Sequence, residues 1–161
     1  MYAIIITILV VIDQIIKYLC LEYLKPIGSV TFIPNIINLT YAENKGAAFG
    51  MLQNQIVFFV IITVFVLGLM FFAYKKRYVK HKLGIYALVF ISGGAIGNLI
   101  DRVIHGFVVD MIDLAFMKFA IFNFADMCIS VGGAMICYYI TFLFDKDNPK
   151  NDAENTNTNN D

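Results

Sequence analysis

Four apolar runs, at about residues 2–23, 56–74, 83–100 and 127–144, constrain this chain of 161 residues more than any other feature. An α-helix rises ~1.5 Å per residue and the hydrocarbon layer of a bilayer is ~30 Å thick, so about 20 apolar residues make one crossing. Lipid offers no partner to backbone N–H and C=O groups, and a helix satisfies them within itself. The second and fourth runs hold no charged residue. The third carries Gly84, Gly93, Gly94 and Gly97, small residues that let helices approach closely in lipid. The first contains Asp13, Gln14 and Lys17. Composition points the same way: 60% of residues are hydrophobic, 15% are charged and mean hydropathy is +0.74, whereas roughly a quarter of a soluble domain is charged. With their polar flanks the predicted spans are about 2–23, 56–74, 83–104 and 125–144, in one membrane-embedded domain over residues 1–145.

Twelve Lys and Arg balance twelve Asp and Glu, which argues against a basic nucleic-acid surface. The first run is read as a retained span and not as a cleaved leader: nothing basic precedes Lys17, and charges break the apolar stretch that a leader keeps intact. Five basic residues fall in Lys75-Lys76-Arg77-Tyr78-Val79-Lys80-His81-Lys82, and short basic loops stay in the cytoplasm. Both termini are therefore expected in the cytoplasm, and the segments at about 24–55 and 105–124 outside it. Within these, Ile36-Ile37-Asn38-Leu39-Thr40-Tyr41 and Phe107-Val108-Val109 have strand composition, which predicts a small sheet resting on the outer membrane surface. The tail at 146–161, rich in Asn, Asp and Thr, is too polar to bury a core and is expected to be disordered.

Several polar residues stand where lipid would exclude them. Asp13 and Lys17, four apart, share a helix face and can pair. A charge at mid-bilayer costs at least about 2.5–3.5 kcal/mol, so the pair faces the bundle interior, as a brace between helices or as part of a proton or ion relay. Asn98 and Arg102 share a face near the outer rim, where capping and snorkelling explain them as readily as binding of a peptide's carbonyl groups. Asp110 lies in Gly106-Phe107-Val108-Val109-Asp110-Met111-Ile112-Asp113. Asp126 opens the fourth span, where the helix dipole favours a carboxylate. Two carboxylates brought close share one proton. One then acts as base toward water while the other polarises a carbonyl. Other hydrolytic chemistries lack their parts. The sequence has no His-Glu-x-x-His, its histidines are His81 and His105, and Ser29, Ser92 and Ser130 have no adjacent Lys or His to activate them. Cys20, Cys128 and Cys137 show no metal-ligand spacing and read as small apolar filler. No cofactor or metal is expected. If the chain cleaves a peptide bond, carboxylates are the remaining candidates.

In chain order, five segments resemble the motifs of the lipoprotein signal peptidases (signal peptidase II). They are Asp13-Gln14-Ile15-Ile16-Lys17, Asn44-Lys45-Gly46-Ala47-Ala48-Phe49, Gly97-Asn98-Leu99-Ile100-Asp101-Arg102, Val108-Val109-Asp110-Met111-Ile112-Asp113 and Phe122-Asn123-Phe124-Ala125-Asp126. Each is weak alone; five in order, from the first span to the fourth, form a specific pattern. The resemblance implies an all-α membrane protein: four transmembrane helices with a small extracytoplasmic β-rich cradle, and a short surface helix meeting the cradle at about 44–55. It implies an aspartic endopeptidase of the bacterial cytoplasmic membrane, active at the extracytoplasmic face. Such an enzyme removes the signal peptide from diacylglyceryl-modified prolipoproteins, cutting just before the lipidated cysteine. By motif position Asp110 and Asp126 are the catalytic dyad. Asn44, Asn98, Arg102 and Asn123 bind substrate or orient the dyad, and Asp13, Lys17 and Gly46 are structural. Lipidated prolipoproteins and membrane lipids are the implied partners, and the chain is expected to act as a monomer.

Other classes compete. A small proton-coupled transporter would use Asp13, Lys17 and the rim carboxylates as a relay, yet the polar residues gather at the outer rim and not at the midplane, where transporter sites lie. A silent scaffold has no use for costly polar groups there. Asp101-Arg102, Gly106, Asp110 and Asp113 faintly resemble the metal-binding aspartates of membrane phosphatidyltransferases, without that family's earlier acidic pair or downstream Ala-Arg.

Overall fold

The computed structural model describes residues 1–46 and 54–144. Among the described residues are four helices long and apolar enough to cross a membrane, and one three-stranded antiparallel sheet. Helix α1 (Tyr2–Leu19) widens at its end into a π turn, Cys20–Leu24. Strands β1 (Ser29–Ile33) and β2 (Ile37–Asn44) follow, then α2 (Ile56–Lys75), α3 (Lys82–Ile104), β3 (Val108–Leu114) and α4 (Phe124–Phe142). The tail expected to be disordered, 146–161, lies outside the described residues, as do residues 47–53 of the stretch at about 44–55 where a short surface helix is expected to meet the cradle.

Side chains are distributed inside out relative to a soluble protein. The most deeply buried include Asp13, Asp101, Asp110 and Asn123, while Ile4, Val57, Phe65, Phe71 and Ile140 are exposed. Hydrocarbon solvates the second group and not the first, so the polar residues turn inward to find partners. Helix α2, apolar all round, buries none of its residues, as a lipid-bathed span does. The glycines of α3 serve close packing: a Cβ at Gly94 would strike the Ala125 carbonyl oxygen, and one at Gly97 the Asp13 carboxylate. Helix α3 therefore lies directly against both α1 and the start of α4.

In the sheet, β2 is central. It pairs with β1 through Ser29↔Thr40 and Val30↔Leu39, and with β3 through Asn38↔Asp113, Ala42↔Asp110 and Asn44↔Val108. Sequence composition indicated β2 and β3 but passed over β1, whose signal is the alternation Val30-Thr31-Phe32 before the turn Pro34-Asn35. Asn35 takes a positive φ of 61° there, which Asn tolerates better than most residues. The sheet rests on the end of α1. Cys20 and Leu24 pack against Val109 and Met111, with Leu39, Tyr41 and Phe107 around them. In the π turn, Lys25 N donates to Cys20 O, five residues back. On the free edge of β3, Ile112 pairs with Phe122, which brings Asn123 and the first turn of α4 beside Asp110.

Candidate active site

Two aspartates and three asparagines converge where β2, α3, β3 and α4 meet. Helix α4 begins with a capping box: Asp126 N donates to Asn123 Oδ1 at 3.0 Å, and Asn123 N donates to Asp126 Oδ2 at 3.1 Å. The box satisfies donors that the first helical turn otherwise leaves open. Asn123 Nδ2 also donates to Asp110 Oδ1 at 2.6 Å, so one residue ties both carboxyl groups. Asn44, at the end of β2, donates Nδ2 to Asp110 Oδ2 at 3.0 Å while its Oδ1 accepts from Gly46 N at 3.0 Å. Asn98 donates Nδ2 to Asp126 Oδ1 at 2.8 Å, and its Oδ1 accepts from the Lys17 ammonium at 2.8 Å.

The two carboxyl groups differ in exposure. Asp110 is 2% exposed, whereas Asp126 is half-buried and lines a cleft. Burial pushes the Asp110 carboxyl up to about 6, helped by the negative charge of Asp126 and opposed by the Asn123 and Asn44 hydrogen bonds and by Lys17. The cleft, about 570 Å³, is lined by the polar residues Asn44, Arg102, Asp126 and Ser130, by Gly46, and by apolar residues that include Phe119, Phe122 and Met127. Arg102 makes long contacts of 3.4 Å to the Asn98 and Gly46 carbonyl oxygens and lies over the Phe59 ring at 5.0 Å. A guanidinium has five N–H donors, so donors remain for a ligand in the cleft.

Beneath this cluster sits a buried ionic knot. The Lys17 ammonium, 3.0 Å from Asp13 Oδ2 and 3.1 Å from Asp101 Oδ2, has two carboxylate partners, one more than the i,i+4 spacing suggested. Asp13 Oδ1 accepts from Ala125 N, and Asp101 Oδ2 from Val109 N, each at 3.0 Å. Gln14 Nε2 donates to Asp13 Oδ2, Gly97 O and Asp101 Oδ1. The knot thus grips the residue before Asp126 and the residue before Asp110. Asp101 and Gln14 stood in the motifs without a role. The available signal was that Asp101 lies three residues from Asn98, on the same helix face.

Every candidate from the sequence joins this network: Asp110, Asp126, Asn44, Asn98, Arg102, Asn123, Asp13, Lys17 and Gly46. Asp113 does not, since its carboxylate accepts from Thr40 on the sheet. Asp101, Asp110 and Asp113 therefore face three different partners, and among the described residues no group of three His, Cys, Asp or Glu could hold a metal ion. Of the free cysteines, Cys20 and Cys128 are buried and Cys137 is exposed.

Comparison with known proteins narrows the chemistry. Residues 5–142 match a family model described as signal peptidase (SPase) II. A lipoprotein signal peptidase of Caldanaerobacter subterraneus is 48% identical over 142 residues, covering 88% of this chain and 97% of its own. One from Clostridioides difficile is 40% identical over 148 residues, covering 91% and 98%. A solved structure described as a bacterial membrane enzyme superposes with a TM-score of 0.80 at 35% identity, covering 91% of this chain and 90% of that one.

Proposed function

The chain belongs to the signal peptidase II family, and from that premise we propose that it cleaves diacylglyceryl-modified prolipoproteins just before the lipidated cysteine, using Asp110 and Asp126 as an aspartic dyad. Membership makes it a peptidase that removes signal peptides from prolipoproteins, in the bacterial cytoplasmic membrane. The observation that carries the dyad reading is the double attachment of Asn123 to Asp110 and to Asp126, the second of which lines a largely apolar cleft.

The chemistry follows from the surroundings of the pair. Asp110, the more buried, carries the shared proton, and Asp126, the more exposed and open to the cleft, is the base. Asp126 takes a proton from water as its oxygen attacks the scissile carbonyl carbon, while Asp110 gives its proton to the carbonyl oxygen. The neutral gem-diol then collapses: Asp126 protonates the departing nitrogen and one hydroxyl returns its proton to Asp110. The dyad ends as it began. Arg102 and Asn44, which line the cleft, hold the peptide carbonyls. Its apolar lining takes the signal peptide's side chains and the acyl chains, which arrive laterally from lipid, so binding away from the reacting atoms contributes to orienting them. The cleft faces outward, opposite the basic loop at 75–82.

Cleavage of a lipidated prolipoprotein by the purified protein tests the reading, with Asp110→Asn and Asp126→Asn assayed separately. Each substitution is expected to lower turnover by at least ~10³-fold, on the scale of losing an essential acid or base, with the thermal transition retained. Full turnover in either variant removes that residue from the dyad. Cleavage of the unlipidated precursor at the same rate contradicts the proposed specificity.

A further inference from the structure

Three carboxamides point their N–H2 groups at the two aspartates, and each is held that way by an N–H donor at its oxygen. For Asn44 the donor is Gly46 N and for Asn123 it is Asp126 N, both backbone groups. For Asn98 the donor is a side chain, the Lys17 ammonium at 2.8 Å. An ammonium has three donors and no acceptor, so only the amide oxygen of Asn98 can face it, and the N–H2 must turn to Asp126 Oδ1 at 2.8 Å. We propose that Lys17 is a positioning residue of the reaction: acting through Asn98, it fixes the polarity of the hydrogen bond to Asp126 and holds that carboxylate as the acceptor, the base of the pair. The proposal rests on the dyad reading above and gives Lys17 a role beyond bracing α1 against α3.

Without Lys17 the Asn98 amide is free to rotate by half a turn and present its oxygen. An oxygen facing Asp126 tolerates the protonated acid and disfavours the anion. The charged groups around Asp126 are Asp110 from β3, Arg102 and Asp101 from α3, and Lys17 with Asp13 from α1. Asp13 makes no hydrogen bond to the Asn98 amide; it holds Ala125 N and pairs with the Lys17 ammonium, so its loss weakens the brace while the ammonium still faces Asn98. That separation makes the two roles of the knot distinguishable.

The test is the pH profile of kcat/KM on a lipidated substrate, with the purified full chain in lipid nanodiscs. Lys17→Met leaves Asp13 and Asp101 without their cation and Asn98 without its donor, a change that unfolds many buried clusters. The double variant Lys17→Met with Asp13→Asn removes one charge of each sign and keeps the net charge of the knot. In both, the acidic limb is expected to move up by about 1–2 pH units, the size of a lost charge-assisted hydrogen bond. Lys17→Arg, again donor-only, should restore the wild-type limb, and Asp13→Asn alone should lower the thermal midpoint without moving it. A double variant that folds and keeps the wild-type limb overturns the proposal. Should neither Met variant fold, side-chain amide NMR of the ¹⁵N-labelled wild type decides: one Asn98 orientation whose shift follows the dyad titration supports it, and two orientations, or no response, overturn it. The dyad reading itself falls or stands on the aspartate variants, whatever the Lys17 variants do.

Discussion

Asp110 and Asp126 hang on the same asparagine yet meet different solvents, and that difference sets how the protein should respond to pH. In the free protein the Asp110 carboxyl stands at about 6, raised from 3.8 by burial and by its neighbour's charge. The protonated form that the mechanism needs is present below that value and lost as pH rises through it, so kcat/KM should fall on the alkaline side. A bound substrate excludes water from the cleft and pushes a buried carboxyl higher still. The alkaline limb of kcat, which reports the occupied site, should therefore lie at higher pH than that of kcat/KM, which reports the free one. Steady-state profiles with one lipidated substrate measure both, and coincident limbs would mean that substrate does not cover Asp110. The same shift has a sign for stability. A carboxyl raised in the fold stabilises it fully below about 4, and that contribution is lost as pH climbs past about 6.

Among elements, α3 approaches α1 and α4 through glycines next to the ionic knot. A Cβ on Gly97 would enter the space of the Asp13 carboxylate, whereas one on Gly133, on α4, would meet nothing within 4 Å. Gly97→Ala is thus expected to destabilise by about 1–3 kcal/mol, as overpacking does. Gly133→Ala should be neutral or slightly stabilising, because Ala suits a helix better. Thermal unfolding of the two variants in detergent compares them directly, and equal midpoints would mean that α1 can yield at Asp13. The spans were legible because lipid imposes one simple rule on composition, and the Asp13–Lys17 pair because a helix places i and i+4 together. The reach of Lys17 to Asp101, and of Asp101 to Val109 N, was not legible, since it depends on how far α3 tilts toward α1 and on where β3 lands. The amide orientations were equally hidden: each is set by what stands on the far side of the asparagine, which sequence spacing does not reveal. Strand β1 escaped because it is a short, exposed edge strand whose alternation spans only Val30-Thr31-Phe32.

At the scale of the whole molecule, the buried charged residues and asparagines among the described residues lie toward one end. The sheet, the cleft and the two candidate carboxylates gather at the ends of α1 and α3 and the start of α4. The basic loop Lys75-Lys76-Arg77-Tyr78-Val79-Lys80-His81-Lys82 joins the opposite ends of α2 and α3. Basic loops resist translocation, so the site end is proposed to face out of the cytoplasm, where a signal peptide's cleavage point emerges after export. Lys80 and Lys118 are both exposed and stand on opposite sides of the spans. With the three native cysteines replaced, Lys118→Cys should react with a membrane-impermeant maleimide in intact bacterial cells (spheroplasts, if an outer membrane is present). Lys80→Cys should react only after the cytoplasmic membrane is opened. The reverse pattern would turn the protein over and place the cleft in the cytoplasm. A secreted precursor could not then present its cleavage point to Asp126, and the proposed substrate would have to be abandoned along with the orientation.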